Sequence, residues 1–400
     1  MKINKKIILL VLFIIMQSIF SFVNFADDSN STNTDVNAKR NAYYNQLTKE
    51  PKYQIIRAKI LEVPLDETKE IRNDIPIESD RRYQHLRIII TSGNHKGEKY
   101  TVQNLIEMVN PYKLIFKKNQ SMLLRMMEDK DGKIVNLQVY ERVRDKYIYF
   151  SIAIFLIFLI MIGGKNGIKS ILALVFTGLA IGFILIPLIL KGYNPVIIST
   201  ITCTITTVVS LLLIMGKNKK MISALLGTVT GLIISGIMVF IVGNLATLTG
   251  LGNESAQLLA YLPKNMKLDF KGILYAGIII GALGAIMDVT VSISSAMWEI
   301  EEVHPKIKTK DLLKSGLNVG RDIMGSMSNT LILAYAGGSI HLILLFNAYN
   351  LKLIEVMNMD LIASEIIRAV AGSIGLVSAI PLTALFATYF RKSRHLKNRV

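Results

Sequence analysis

Cysteine is nearly missing from this chain of 400 residues: Cys203 is the only one. A single thiol cannot close an intrachain disulfide, and no Cys/His spacing of a metal site accompanies it. Any exported domain must therefore hold together by its core, which a length of about a hundred residues allows. Several catalytic signatures are also missing. There is no phosphate-cradling Walker A loop, no His-Glu zinc motif and no Gly-x-Ser-x-Gly elbow. No nucleophile–base pair can be assembled, so the chain reads as a non-enzyme with no cofactor and no metal. Charge is scarce as well, at 19% of residues against about a quarter in soluble proteins. The net charge of +17 invites a nucleic-acid partner, but the basic residues gather on no single patch or helix face, so none is expected. Finally, no long alternating pattern supports a membrane β-barrel.

What is present divides the chain in two. Residues 27–146 mix Lys, Arg, Asp and Glu densely, whereas residues 147–390 are long apolar blocks with charges mostly between them. Ahead of both, Lys2, Lys5 and Lys6 precede the apolar run Ile7–Phe22, the pattern of an export signal. Residues 1–26 read either as a signal peptide cut after Ala26 or as a signal-anchor helix, since Asn24 suits cleavage poorly. Residues 27–50 form a polar linker. Residues 51–146 show period-two patterning in Tyr53–Val63, Arg82–Thr91, Lys99–Gln103, Met122–Met127 and Ile134–Tyr140. In the last, Val135, Leu137 and Val139 alternate with Asn136 and Gln138, as a half-buried strand requires, and Asp131-Gly132 supplies the preceding turn. Five short strands suggest a small barrel or sandwich, OB-like in outline.

A hydrocarbon core of about 30 Å needs about 20 apolar residues as helix. Seven stretches qualify: Tyr147–Gly163, Ile171–Leu190, Pro195–Met215, Met221–Val242, Gly272–Trp298, Ser328–Phe346 and Ile366–Phe390. The fold class is thus an α-helical polytopic membrane protein of about seven spans, preceded by a small extracytoplasmic β-rich domain. Apolar Leu245–Leu262 reads as an interfacial or re-entrant helix, and Pro381 is expected to kink the last span. Lys and Arg set the orientation. An inner side receives Lys165, Lys169, Lys217, Lys219, Lys220, the Glu299–Arg321 loop and a basic tail over residues 391–400. It outweighs an outer side holding Lys191, Lys264, Lys267, Lys271 and Lys352 by about three to one. The β domain is placed outside and the C-terminus in the cytoplasm.

The span Gly272–Trp298 carries the most chemistry. At 100° per residue, Gly281, Gly284, Asp288, Ser292 and Ser295 share one stripe, which Glu299 continues. Asp288 is the acidic residue set well inside an apolar block. A lone carboxylate is expensive in lipid, so it is expected to face the bundle or a watery cavity, where it would suit a proton or cation site. The bland alternative is close helix packing through Gly and Ser, with a protonated Asp bonding a neighbouring helix. Asn329, Thr330 and Tyr335 on the next span are possible partners, followed by Gly337, Gly338 and His341. Glu365 and Arg368 stand three apart on the last span, either as an interfacial ion pair or as an outer gate, and Gly372 and Gly375 continue their face. The pairs Gly178/Gly182, Gly227/Gly231 and Gly277/Gly281 indicate tight helix packing.

The run Gly281-Ala-Leu-Gly-Ala-Ile-Met-Asp-Val-Thr-Val-Ser-Ile-Ser-Ser-Ala296 resembles the signature helix of the YibE/F family. Residues 320–338, with Glu365, Arg368, Gly372 and Gly375, are similar to further family signatures, and Thr290 stands where a smaller residue is expected. The resemblance implies a bacterial multipass protein of the plasma membrane, of a kind described as permeases, with no defined substrate. The function expected is movement of a small solute or ion with Asp288 as a protonatable site. The alternative is a membrane scaffold or sensor whose β domain binds an extracytoplasmic partner without transport. No inverted repeat is visible between the halves of the bundle, which weighs against a transporter.

Overall fold

The computed structural model describes residues 53–69, 80–260 and 268–397. The expected signal segment and linker lie outside these. The described chain divides into two compact units at Ile157/Phe158.

The first unit is a sheet of five antiparallel strands: β1 (Gln54–Asp66), β2 (Arg81–Ile90), β3 (Lys99–Glu107), β4 (Ser121–Glu128) and β5 (Ile134–Arg142). Their order is β3-β2-β1-β4-β5, and the two edge strands approach each other, so the sheet nearly closes into a barrel. Alternation fills its interior. Ile56, Ala58 and Ile60 of β1, Leu86, Ile88 and Ile90 of β2, and Met122, Leu124 and Met126 of β4 are all buried, because successive side chains of a strand point to opposite faces.

A polar pair closes one side of this core. The Gln84 amide donates to the Phe116 carbonyl (3.2 Å) and accepts from the Phe116 N–H (3.0 Å). Asn104 donates to the Gln84 side chain and to the Leu114 carbonyl (2.7 Å). These two buried amides satisfy backbone groups of a strandless connection, which lets Phe116 enter the core.

The turn before β5 forms as expected. Gly132 takes φ +76°, and the Asp129 carboxylate accepts from the N–H groups of Asp131 and Lys133. The expected alternation of β5 does not hold throughout. Val135 is 60% exposed, while Ile134, Leu137 and Val139 pack on the core. A register shift between Met127 and Glu128 is the cause, since Glu128 pairs Ile134 and Met127 pairs Asn136, leaving Val135 as an extra residue. A bulge moves the residues on its two sides onto different faces.

The second unit is helical. In chain order the helices are α1 (Asp145–Ala180), α2 (Ile186–Leu190), α3 (Pro195–Met215), α4 (Lys219–Leu245), α5 (Glu254–Ala260), α6 (Phe270–Val303), α7 (Thr309–Gly338), α8 (Ile340–Ala348), α9 (Leu353–Met357) and α10 (Asp360–Lys397). A π-helical turn, Ile181–Leu185, joins α1 to α2. Among the described residues, five helical runs are long and apolar enough to cross a membrane, or six if the bent pair α7–α8 counts as one span. The first run, Asp145–Leu190, has 46 residues. Straight, it would reach about 69 Å, but Gly164 interrupts the helix with φ 52°, ψ −127°.

Helix capping follows the sequence. Asn194 accepts from the N–H groups of Val196 and Ile197 ahead of Pro195. Asn218 caps α4 and Asp269 caps α6 in the same way, each satisfying a donor that the first turn leaves free.

The bundle core is built from α4, α6, α7 and α10 around Ile286, Ile293, Leu376 and Ile380. Glycines set the closest approach. A Cβ on Gly231 would lie 3.0 Å from the Gly375 carbonyl oxygen, and one on Gly375 would lie 2.8 Å from that of Gly231. Hydroxyls join the same helices: Thr228 of α4 bonds Thr290 of α6 at 2.7 Å, and Ser294 donates to the Lys220 carbonyl at 2.7 Å.

Several expectations need correction. The Glu299–Arg321 loop is mostly helix, because α6 runs to Val303 and α7 starts at Thr309; helices continue past their apolar stretch where caps and packing permit. The span Ser328–Phe346 is bent by 59° at Ser339. Arg391, expected in a solvated basic tail, is buried; it pairs with Glu301 at 3.4 Å and donates to the Pro305 carbonyl. In the segment expected to be an interfacial or re-entrant helix, the described helix is the short α5.

Candidate functional site

The stripe on α6 points away from the core. Helix α6 buries Ile279, Ile286, Val289, Ile293 and Met297, and their bulk occupies the contacts with α4, α7 and α10. At 100° per residue the opposite stripe is left outward. Gly281, Gly284, Asp288, Ser292 and Glu299 are accordingly exposed, and Ser295 is half-buried. Of the two placements expected for Asp288, the bundle interior or a watery cavity, the first is not the one found. Thr290, on the buried side, packs on α4 instead.

The two glycines of the stripe stand near other helices. On one side stands α7: the Tyr335 hydroxyl comes within 2.6 Å of the place a Gly281 Cβ would occupy. On the other, Gly284 and Met287 line a cavity shared with α1 and α3. Asp288 is one turn from Gly284 along the stripe. It makes no hydrogen bond or ion pair with any described residue.

The structure brings some expected residues together and leaves others apart. Tyr335, Arg368 and Glu365 form a chain across α7 and α10. Arg368 donates to both Glu365 oxygens at 2.9 and 3.2 Å, and its guanidinium lies 5.9 Å from the Tyr335 ring centroid. With Gly281 beneath Tyr335, three helices meet there. Asn329 and Thr330 are exposed and bond neither each other nor Asp288; the Thr330 hydroxyl donates to the Ser326 carbonyl of its own helix. His341 lies beyond the bend, exposed.

Gly375 sits at the closest crossing of α4 and α10, and Gly372 makes ordinary contact with Ala282 and Leu331. Gly284, Gly337 and Gly338 have no neighbour within 4 Å of a built Cβ, so they pack no helix. The first lines the cavity shared with α1 and α3, and the other two precede the bend. No cluster of three His, Cys, Asp or Glu side chains that would hold a metal ion occurs among the described residues.

The span Pro195–Met215 forms as expected, as α3, but its hydroxyls were not among the expected site residues. Seven of the positions from Ser199 to Ser210 carry hydroxyls, Ser199, Thr200, Thr202, Thr204, Thr206, Thr207 and Ser210. Such a density within an apolar span was a legible signal.

Two comparisons match the chain. The model described as YibE/F-like protein matches residues 151–393, and the YibE/F family N-terminal domain matches residues 51–141. No curated protein and no solved structure matches. The first match covers the helical unit that carries the Asp288 stripe, the second covers the β unit, and together they span most of the sequence: the chain belongs to the YibE/F family.

Proposed function

We propose that this protein is a permease of the bacterial plasma membrane that moves a small solute or ion, with Asp288 as its protonatable site. The supporting observation is an unpartnered, outward-facing carboxylate in a helix of membrane-crossing length. Exposing Asp at the centre of a lipid-facing helix costs about 2.5–3.5 kcal/mol. Asp288 is therefore read as facing water or a polar partner rather than lipid. The Tyr335–Arg368–Glu365 chain beside Gly281 supplies further polar groups on the same path. Counting Asp145–Leu190 as two crossings because of Gly164, and the bent pair as one, gives seven spans. The Lys/Arg distribution then puts the β domain outside and the C-terminus in the cytoplasm. The nearly closed sheet of the β domain suits an OB-like barrel.

The test is proton flux in liposomes containing the purified protein, read with an entrapped pH-sensitive dye under an imposed pH gradient. Asp288→Asn is expected to abolish flux that the native protein supports. Unchanged flux in a normally folded variant defeats the assignment. A second reading, a scaffold or sensor without transport, draws on the β domain having a complete core of its own. Deleting that domain with transport left intact argues against it.

A further inference from the structure

We infer that the turn joining β2 to β3 is a pH-operated strap over one end of the β-domain core, held shut by the His95 imidazolium between Glu98 and Glu128 and released when that ring loses its proton. The inference concerns the β unit alone and does not rest on the permease reading.

The strap is tied firmly at its base and by one side chain at its tip. At the base, the Thr91 N–H and hydroxyl both donate to the Arg57 carbonyl (2.8 and 3.1 Å), and the Arg57 N–H donates to the Ser92 hydroxyl (2.7 Å). Beyond Ser92 the chain reads Gly93-Asn94-His95-Lys96-Gly97. Both glycines take positive φ, +79° and +100°, which leaves the tip free of the limits a side chain would set. Gly93 rests on the core: a Cβ there would lie 3.6 Å from a methyl of buried Ile56. The backbone bonds of the tip, from the Gly97 N–H to the Ile90 carbonyl and from the Glu98 N–H to the His95 carbonyl, stay inside the hairpin. Asn94 and Lys96 are exposed and bond no described residue. Among the described residues, His95 is thus the side chain that ties the tip to another strand.

That tie needs a charged ring. Nδ1 lies 3.0 Å from the Glu98 carboxylate, and Nε2 lies 3.2 Å from that of Glu128 at the end of β4. An imidazolium donates through both nitrogens, whereas a neutral ring donates through one and presents a lone pair at the other. Glu98 belongs to the same turn and has a second donor in the Tyr100 hydroxyl at 2.6 Å. Glu128 belongs to another strand. Its Oε2 accepts from the Gln54 amide (3.3 Å), but its buried Oε1 has no donor other than the ring. Loss of the proton sets a lone pair against that oxygen, so the bridge to β4 fails while the contact with Glu98 persists. Glu98 and Glu128 are the charged groups acting on the ring, with Tyr100 behind the first and Gln54 behind the second. The hydrogen bond to Glu98 and the two negative charges raise its pKa above the ordinary histidine value. The strap is therefore shut below the ordinary value and opens as pH rises through the raised one.

The test is amide hydrogen exchange of residues 93–98 in the full-length protein in nanodiscs, between about pH 5.5 and pH 8.5, with each rate divided by the intrinsic rate at that pH. Protection is expected to be level below about pH 6 and to fall about threefold by about pH 8, the scale of one ion pair near a surface. His95→Gln and Glu128→Ala should each abolish the step and hold protection at the high-pH level. Lys96→Gln, which alters a neighbouring charge without touching the bridge, should keep the native step. Amides of β1 and β4 report that each variant is folded. The inference is overturned if native protection does not change across this window, if the step survives in His95→Gln, or if Glu128→Ala shows the native step. A native midpoint below the ordinary histidine value of about 6.5 would also overturn it, and that measurement needs no variant.

Discussion

Replacing Gly231 by Ala tests the bundle geometry directly, because two opposed effects can be separated. In a helix interior Ala is better than Gly by about 1 kcal/mol. At Gly231 the added Cβ would lie 2.9 Å from the Ala379 Cβ, 3.0 Å from the Gly375 carbonyl oxygen and 3.0 Å from an Ile286 methyl. Carbon atoms rest about 3.5 Å or more apart, so α4 and α10 must separate by roughly 0.6 Å. One of the three contacts is backbone and another is the Cβ of a helix residue, so no rotamer change relieves them. Overpacking of this kind costs about 1–3 kcal/mol. The net expectation is a loss of about 1 kcal/mol, rising to several for Gly231→Leu. Gly236 lies on the same helix and serves as the control. Its Cβ would meet only the flexible end of Ile279, at 3.4 Å, so Gly236→Ala should be neutral or stabilising by up to about 1 kcal/mol. Reversible unfolding in mixed micelles measures both. If Gly231→Ala stabilises as much as Gly236→Ala, the close crossing of α4 and α10 is wrong.

Three further outcomes follow from the same geometry. Arg391→Met leaves Glu301 buried without its counter-charge and should cost about 3 kcal/mol or more; the double variant with Glu301→Gln should recover part of the loss in a double-mutant cycle. In β5, Val135→Asn should change stability by less than about 0.5 kcal/mol, whereas Leu137→Ala, on the core side of the bulge, should lose about 2 kcal/mol by chemical unfolding. His95 lies 3.0 Å from Glu98 and 3.2 Å from Glu128, and the hydrogen bond to Glu98, aided by both negative charges, raises its pKa above the ordinary histidine value. The stabilisation is therefore present below the unfolded-state pKa and is lost as pH rises through the raised folded value. Unfolding of the native protein and of His95→Gln should differ at about pH 6 and converge above about pH 8.

Much of the architecture was legible because it depends on period and length. Alternating apolar residues named all five strands, since a strand with one face on a core must alternate, and Asp131-Gly132 named the turn. Apolar runs named the long helices, and Asn194, Asn218 and Asp269 sat where a first turn needs an acceptor. The bulge at Val135 was not legible, because the pairing partner decides where an extra residue is accommodated. Nor was the continuation of α6 and α7 through charged sequence, which depends on what packs beside them.

The candidate site divides along the same line. The sequence by itself determined the stripe: Gly281, Gly284, Asp288, Ser292 and Ser295 must share a face of any α-helix with 3.6 residues per turn. Which way that face turns was a tertiary decision. Each face of α6 offers a plausible seam, one of small and polar residues and one of Ile, Val and Met. The crossing of α4 and α10 at Gly231 and Gly375 lets the helices close on the bulky face, which leaves Asp288 looking outward. The sequence likewise contained every hydroxyl of α3, but that Thr202 is buried without a partner is decided by its neighbours' geometry, because hydrogen bonding depends on distance and direction rather than on residue type.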